Sequence, residues 1–164
     1  MALKEMLLPE FDQEAAATRL LLERVPAQDA GWKPHPKSAS LGALAVHVAN
    51  LASWLGTALT STELDLAVAP TPAPFTTVEA LLATFDANVA GSRAALAKAV
   101  DADFAVPWSL KSGGQVYFTF PRAVIVRSFA LSHLIHHRAQ LGVYLRLRDV
   151  PLPPCYGPTA DTGM

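Results

Sequence analysis

The run Ser132-His133-Leu134-Ile135-His136-His137-Arg138-Ala139-Gln140 brings several imidazoles together in one short stretch. It lies between Pro121 and Pro151, and Gly142 is the only glycine or proline between them, so one continuous helix over 122–148 is expected. In a helix, His133 and His137 fall one turn apart on the same face. That spacing lets two imidazoles hold one metal ion from a single helix. The stripe that carries them reads Val126, Ala130, His133, His137, Leu141, Tyr144, in steps of three and four, and such a stripe faces a core. A His133/His136 pair is geometrically open as well. His136, however, shares its face with Phe129, Ser132, Gln140 and Val143, a mixed stripe nearer the boundary, so His137 is preferred. The competing reading is a pair of core histidines satisfied by hydrogen bonds.

A second element supplies a third imidazole. Ser40 is a candidate N-cap for a helix over 40–59, whose stripe reads Leu41, Leu44, His47, Leu51, Trp54, Ala58. Each buried histidine costs desolvation and needs its own partners, whereas one metal ion accounts for His47, His133 and His137 together. Two further helices complete the set. Residues 3–25 carry Leu3, Met6, Leu7, Phe11, Ala15, Thr18, Leu22 and Val25 at helical spacing, with Pro9 read as part of a tolerant first turn and Pro26 as the stop. Residues 77–100 follow a Thr76 or Thr77 cap and carry Leu81, Leu82, Phe85, Val89, Ser92, Leu96 and Ala99, leaving Asp86 and Arg93 to solvent.

The connections are long. Residues 26–39 form a loop in which Trp32 packs over the bundle end and His35, between two prolines, is exposed. Pro70, Pro72 and Pro74 make 60–76 an extended connector. Residues 101–121 read as a loop whose Val116–Phe120 piece is too brief for a sheet of its own and serves as a lid or end-cap. Trp108 and Tyr117 either line a pocket mouth or pack under that loop. The proline-rich tail 150–164 is expected to run extended over the surface.

Composition narrows the function classes. The 164 residues suit one domain, 1–164, with a sizeable core. Half the chain is hydrophobic (51%) and only 16% is charged, which favours burial of surface in a homo-oligomer. A net charge of −1 without a basic arm argues against nucleic acid. Cys155, the only cysteine, excludes an internal disulfide and a cysteine zinc knuckle, and nothing near it would lower its pKa for nucleophilic work. Lys4, Glu5, Glu10 and Asp12 interrupt the first apolar run, so no signal peptide is expected. No uncharged apolar run is expected to reach the length of a membrane span, and a cytoplasmic protein follows.

The expected fold class is therefore all-α: a four-helix bundle with long crossover loops, a scaffold that builds metal sites from facing helices. Helix four has no Asp or Glu between Pro121 and Asp149, which argues against a di-iron carboxylate site. Three imidazoles fit one divalent ion, Zn²⁺, Ni²⁺ or Fe²⁺, without discriminating among them, and leave a position for water or substrate; Zn²⁺ or Ni²⁺ is the leading expectation.

His47 followed by His133-x-x-x-His137-Arg138-x-Gln140 resembles the DinB/YfiT-like family of metal-binding four-helix bundles. Trp32-Lys33-Pro34 through Ser40-Leu41-Gly42 resembles that family's approach to its second helix. Leu141-Gly142-Val143-Tyr144-Leu145 and Tyr156-Gly157-Pro158-Thr159-Ala160-Asp161 resemble one bacterial branch of it. The resemblance implies His47, His133 and His137 on one divalent metal, often in a homodimer. It also implies relatives that include thiol transferases and isomerases using low-molecular-weight thiols. The leading expectation is a metal-dependent enzyme of thiol S-transferase or hydrolase type at an open three-histidine site, its catalytic residues unassigned. The alternative is a non-catalytic, metal-stabilised bundle acting in stress response or partner binding, with a fourth ligand from Glu10, Asp12 or Glu14. Gln140 would support the ligands from one turn away, and Arg138 would point off the histidine stripe toward an acid on helix one. Lys33, Lys37 and Lys111 are loop candidates for holding an anionic thiol.

Overall fold

A computed structural model describes residues 2–163. Helix α1 spans Leu3–Leu22, α2 Leu41–Leu51, α3 Trp54–Thr60 and α4 Val78–Lys98. The last helical stretch starts as α5, Arg122–Val124, passes through a π-helical segment, Ile125–Leu131, and continues as α6, Ser132–Leu147. Both α1 and α2 pack against α4 and α6, so the long helices form a four-cornered bundle. Two caps read from sequence are present: Ser40 Oγ accepts from Ala43 N at 3.2 Å, and Thr77 Oγ1 accepts from Ala80 N at 3.2 Å. Pro9 lies inside α1, beyond the first turn where it was expected.

The expected 40–59 helix is interrupted between α2 and α3, and Ser92 of α4 occupies the interruption. Its hydroxyl donates to Ala52 O at 2.6 Å and accepts from Gly56 N at 3.0 Å. These are the two groups that an unbroken helix would join directly, so a side chain has been inserted into the ladder. Asn88 Nδ2 donates to Ala49 O at 3.0 Å from the same helix. Gly56 is required here, because a Cβ on it would stand 3.0 Å from Ser92 Oγ and 3.1 Å from Ser92 Cα. The segment Leu41–Thr60 carries no Asp, Glu, Lys or Arg and is long and apolar enough to cross a membrane, contrary to the sequence expectation. Most of it is buried in the bundle, against α4 and α6.

The all-α expectation needs a correction as well. Residues 107–121 form a hairpin, β2 Pro107–Ser112 and β3 Gln115–Pro121, paired from Pro107↔Pro121 to Ser112↔Gln115 with an irregularity at Leu110/Lys111. The short β1, Glu63–Asp65, adds to β2 in parallel, giving the order β1-β2-β3. Alternation explains why the hairpin holds: Trp108 and Leu110 of β2 point into the bundle end while their neighbours do not. Trp108 is packed rather than at a pocket mouth, and its indole donates to Ser61 Oγ at 3.2 Å. Tyr117 is exposed. Gly113 takes φ +58° in the turn, where its N–H donates to Asp65 Oδ1 at 2.8 Å and so ties the hairpin to β1.

At the other end Trp32 meets Tyr144 edge-on at 5.8 Å and lies under the Arg148 guanidinium at 5.4 Å, which is the packing role expected of it. Among its described residues the tail has no helix or strand, but it does not simply lie on the surface. Tyr156 reaches a buried ion pair, described below, and Asp161 pairs with Arg146 and accepts from Leu152 N. These contacts hold the Asp161 carboxyl below its ordinary range.

Candidate metal centre

The deepest stripes of the two site helices are not the histidine stripes. On α6 and the turn before it, Leu131, Leu134, Arg138, Leu141 and Leu145 are buried. On α2 and α3 the buried stripe is Leu41, Leu44, Val48, Leu51 and Leu55. His47, His133 and His137 sit one position aside, each half-buried. They therefore line a seam between α2 and α6 rather than the centre of the core. The π-helical segment helps to set this phase. Its wider turn buries both Ile125 and Val126 on one side and both Ala130 and Leu131 on the next, and Ser132 Oγ donates to Arg127 O at 2.9 Å.

Despite that shift, the sequence-derived ligand set comes together. One ring nitrogen from each of His47, His133 and His137 lies within 4.8 Å of the others. Their ring centroids are 4.5 Å (His47–His137), 4.7 Å (His133–His137) and 5.4 Å (His47–His133) apart. His136 is exposed; its ring stacks edge-on to His137 at 4.8 Å and takes no part in the cluster. His35 is exposed in its loop, where its Nδ1 accepts from Lys37 N at 3.2 Å.

The donors suit a metal ion. Gln140 Oε1, an acceptor, lies 2.7 Å from His137 Nδ1, which places the proton on Nδ1 and the lone pair on Nε2. The Nε2 atoms of His133 and His137 face each other at 2.9 Å. Tetrahedral Zn–N bonds would set nitrogens about 3.3 Å apart, so a small outward adjustment admits the ion. Protonation works against the cluster. Burial first, and the neighbouring imidazoles second, hold His133 down at about 4 from 6.5; burial and then His137 lower His47. Neutral imidazole is the form that binds metal. Aromatic rings close one flank: Trp54 meets His133 edge-on at 5.2 Å and stacks on Phe129 at 4.8 Å.

No carboxylate joins the cluster among the described residues. The helix-one acids that could have supplied a fourth ligand each face an arginine instead. Glu10 meets Arg127 at 2.6 Å and Asp12 meets Arg93 at 2.9 Å. Glu14 Oε2 meets Arg138 Nη1 at 2.6 Å, both side chains buried. Arg138 thus does what its place off the histidine stripe suggested. Sequence reasoning missed the third member of that group: the Tyr156 hydroxyl donates to Glu14 at 2.8 Å and accepts from Arg138 Nη2 at 2.6 Å. Burial and the Glu14 bond push the Tyr156 phenol up. Asp86 and Arg93 are also not free, since Asp86 pairs with Arg19 across the α1/α4 seam. Lys111 pairs with Glu63 on the sheet, at 2.6 Å.

The fold is shared with solved structures. A DinB-like protein from Bacillus subtilis superposes with TM-score 0.70 at 16% identity, over 92% of this chain and 96% of that one. One from Bacillus cereus gives 0.72 at 18%, over 94% and 98%. At such identities the likeness speaks for the fold alone. No curated protein matches the sequence significantly. The DinB superfamily model matches residues 10–141, which include all three histidines. The chain belongs to the DinB superfamily.

Proposed function

We propose that the protein is a metal-dependent enzyme of the thiol S-transferase or hydrolase type, using one divalent ion on His47, His133 and His137. The observation that carries this reading is the donor count. Three neutral imidazoles converge, and every helix-one acid that could close the site is held by an arginine. A protein-closed structural site would have a fourth ligand; an open one leaves room for a substrate atom. When bound, the ion supplies Lewis-acid polarisation and lowers the pKa of a thiol or water placed against it.

The chain's own residues then have distinct tasks. Gln140 fixes the tautomer and tilt of His137. Trp54 and Phe129 shield the His133 flank from water. The Glu14–Arg138–Tyr156 group holds α1, α6 and the tail in register one residue away from the ligand His137. Three imidazoles suit zinc, nickel or iron, with zinc or nickel the leading expectation.

The test is turnover that follows the metal. Protein loaded with Zn²⁺ or Ni²⁺ is assayed for thiol transfer to electrophiles and for ester and amide hydrolysis, then stripped with chelator and reloaded. Activity that disappears on stripping, returns on reloading and is absent from His133→Ala supports the enzyme. Metal bound stoichiometrically with no activity, and no change in its spectrum on adding thiols, would favour a metal-stabilised binding module.

A further inference from the structure

Beside the metal centre runs a cleft of about 490 Å³, a size that suits a small molecule. His47 lines it, so one wall of the cleft is a proposed metal ligand. The rest is formed by the outer face of α2, with Ala43 and Val46, and by the proline-rich connector, with Pro74 and Phe75. None of its lining residues carries a formal charge at neutral pH. Apart from His47, the polar side chain in the lining is Ser40, whose oxygen accepts from the Ala43 N–H.

The cleft is built into the fold. Gly42 lets the connector and the 26–39 loop close on α2: a Cβ there would meet Ala30 Cβ and Phe75 Cβ, each at 3.0 Å. Gly42 N donates to Ala30 O at 2.8 Å and Leu41 N to Trp32 O at 2.9 Å, which pins the loop against the helix start. Charges near this wall are neutralised or turned elsewhere. Asp29, next to the lining residue Ala30, is paired with Arg148 at 2.9 Å. Lys33 and Lys37, the loop cations that could have held an anionic thiol, do not line the cleft.

Resting on the metal-site reading above, we propose that this cleft selects the substrate: an uncharged small molecule with one metal-ligating atom and an apolar body. The metal-ligating atom goes to the histidine cluster, and the apolar body lies against Val46, Pro74 and Phe75. A carboxylate or phosphate on that body would be desolvated against apolar groups with no cation to receive it. An apolar body instead buries hydrocarbon surface on both sides.

The test uses cobalt-loaded protein and two matched thiols, phenylmethanethiol and 4-(mercaptomethyl)benzoate, which differ only by a carboxylate at the far end of the ring. Binding is read from the thiolate-to-cobalt charge-transfer absorption. Phenylmethanethiol should bind about tenfold tighter or more. Ala43→Lys, on the exposed lip of the cleft, should narrow or reverse that ratio by improving the carboxylate probe, with the cobalt spectrum of the free protein unchanged. Equal affinities in the wild type, tighter binding of the benzoate, or a ratio that Ala43→Lys leaves alone would overturn the proposal while the metal site stands. Absence of a cobalt spectrum from wild-type protein would sink the metal-site reading and this proposal with it.

Discussion

Gln140 Oε1 lies 2.7 Å from His137 Nδ1, so the amide of one residue decides which nitrogen of the other carries the lone pair. Gln140 is itself exposed and three residues further along the same helix, which makes it a support that can be removed without opening the core. Gln140→Leu should weaken metal binding by about 10- to 100-fold, the usual effect of losing a hydrogen-bonding partner behind a ligand. Competition with a chromophoric chelator measures this, and circular dichroism should show the helices intact. Unchanged affinity would mean that the His137 tautomer is set by something else.

The buried Glu14–Arg138 pair predicts an asymmetry in stability. Arg138→Ala leaves a carboxylate buried without its cation and should cost about 3–5 kcal/mol. Replacing both partners with apolar residues, Glu14→Leu with Arg138→Met, should recover much of that loss. Tyr156→Phe removes the hydroxyl that bridges the two and should cost about 1–3 kcal/mol. Urea denaturation of the four proteins checks the order. A double variant no more stable than Arg138→Ala would contradict it.

Ser92 and Gly56 should be coupled. Gly56→Ala forces a Cβ to within 3.0 Å of Ser92 Oγ and should cost about 1–3 kcal/mol. With Ser92→Ala already in place, the hydroxyl is gone and the same substitution should cost less. A thermodynamic cycle over the four proteins reads the difference directly. Strict additivity would show that the inserted hydroxyl does not govern the interruption between α2 and α3.

Much of this was legible from residue types at helical spacing. The long helices, the Ser40 and Thr77 caps, and the choice of His47, His133 and His137 as the residues to look at all follow from local pattern. What escaped the sequence was non-local. β1 pairs with β2 across more than forty residues, so nothing in Glu63–Asp65 alone marks it as a strand. The Ser92 insertion depends on a side chain from another helix, and the Tyr156 bridge depends on a tail whose prolines indicate only that it is not helical. The histidine stripes were displaced by one position because helical wheels assume a constant 3.6-residue turn and a binary inside or outside. The π-helical segment breaks the first assumption. Site residues at a seam, neither inside nor outside, break the second.

Metal-free protein should lose stability on acidification, with a window set by the histidines. His133 is held at about 4 in the fold against 6.5 unfolded, and His47 is lowered in the same sense. The unfolded chain therefore binds protons first, and stability falls with pH. The contribution of His133 is fully present above 6.5 and is lost as pH drops towards about 4. Thermal melts of chelator-stripped protein across that window should show a falling Tm, and His133→Gln should flatten the slope. A slope that survives the substitution would assign the effect to other groups.

The most direct test is the metal content of protein purified without chelator or a nickel column, measured by elemental analysis beside His137→Ala. One equivalent of zinc, nickel or iron per chain in the wild type, lost in the variant while the fold persists, is the predicted result. Metal-free wild type that neither gains stability nor takes up any of these ions on addition would contradict the three-histidine centre.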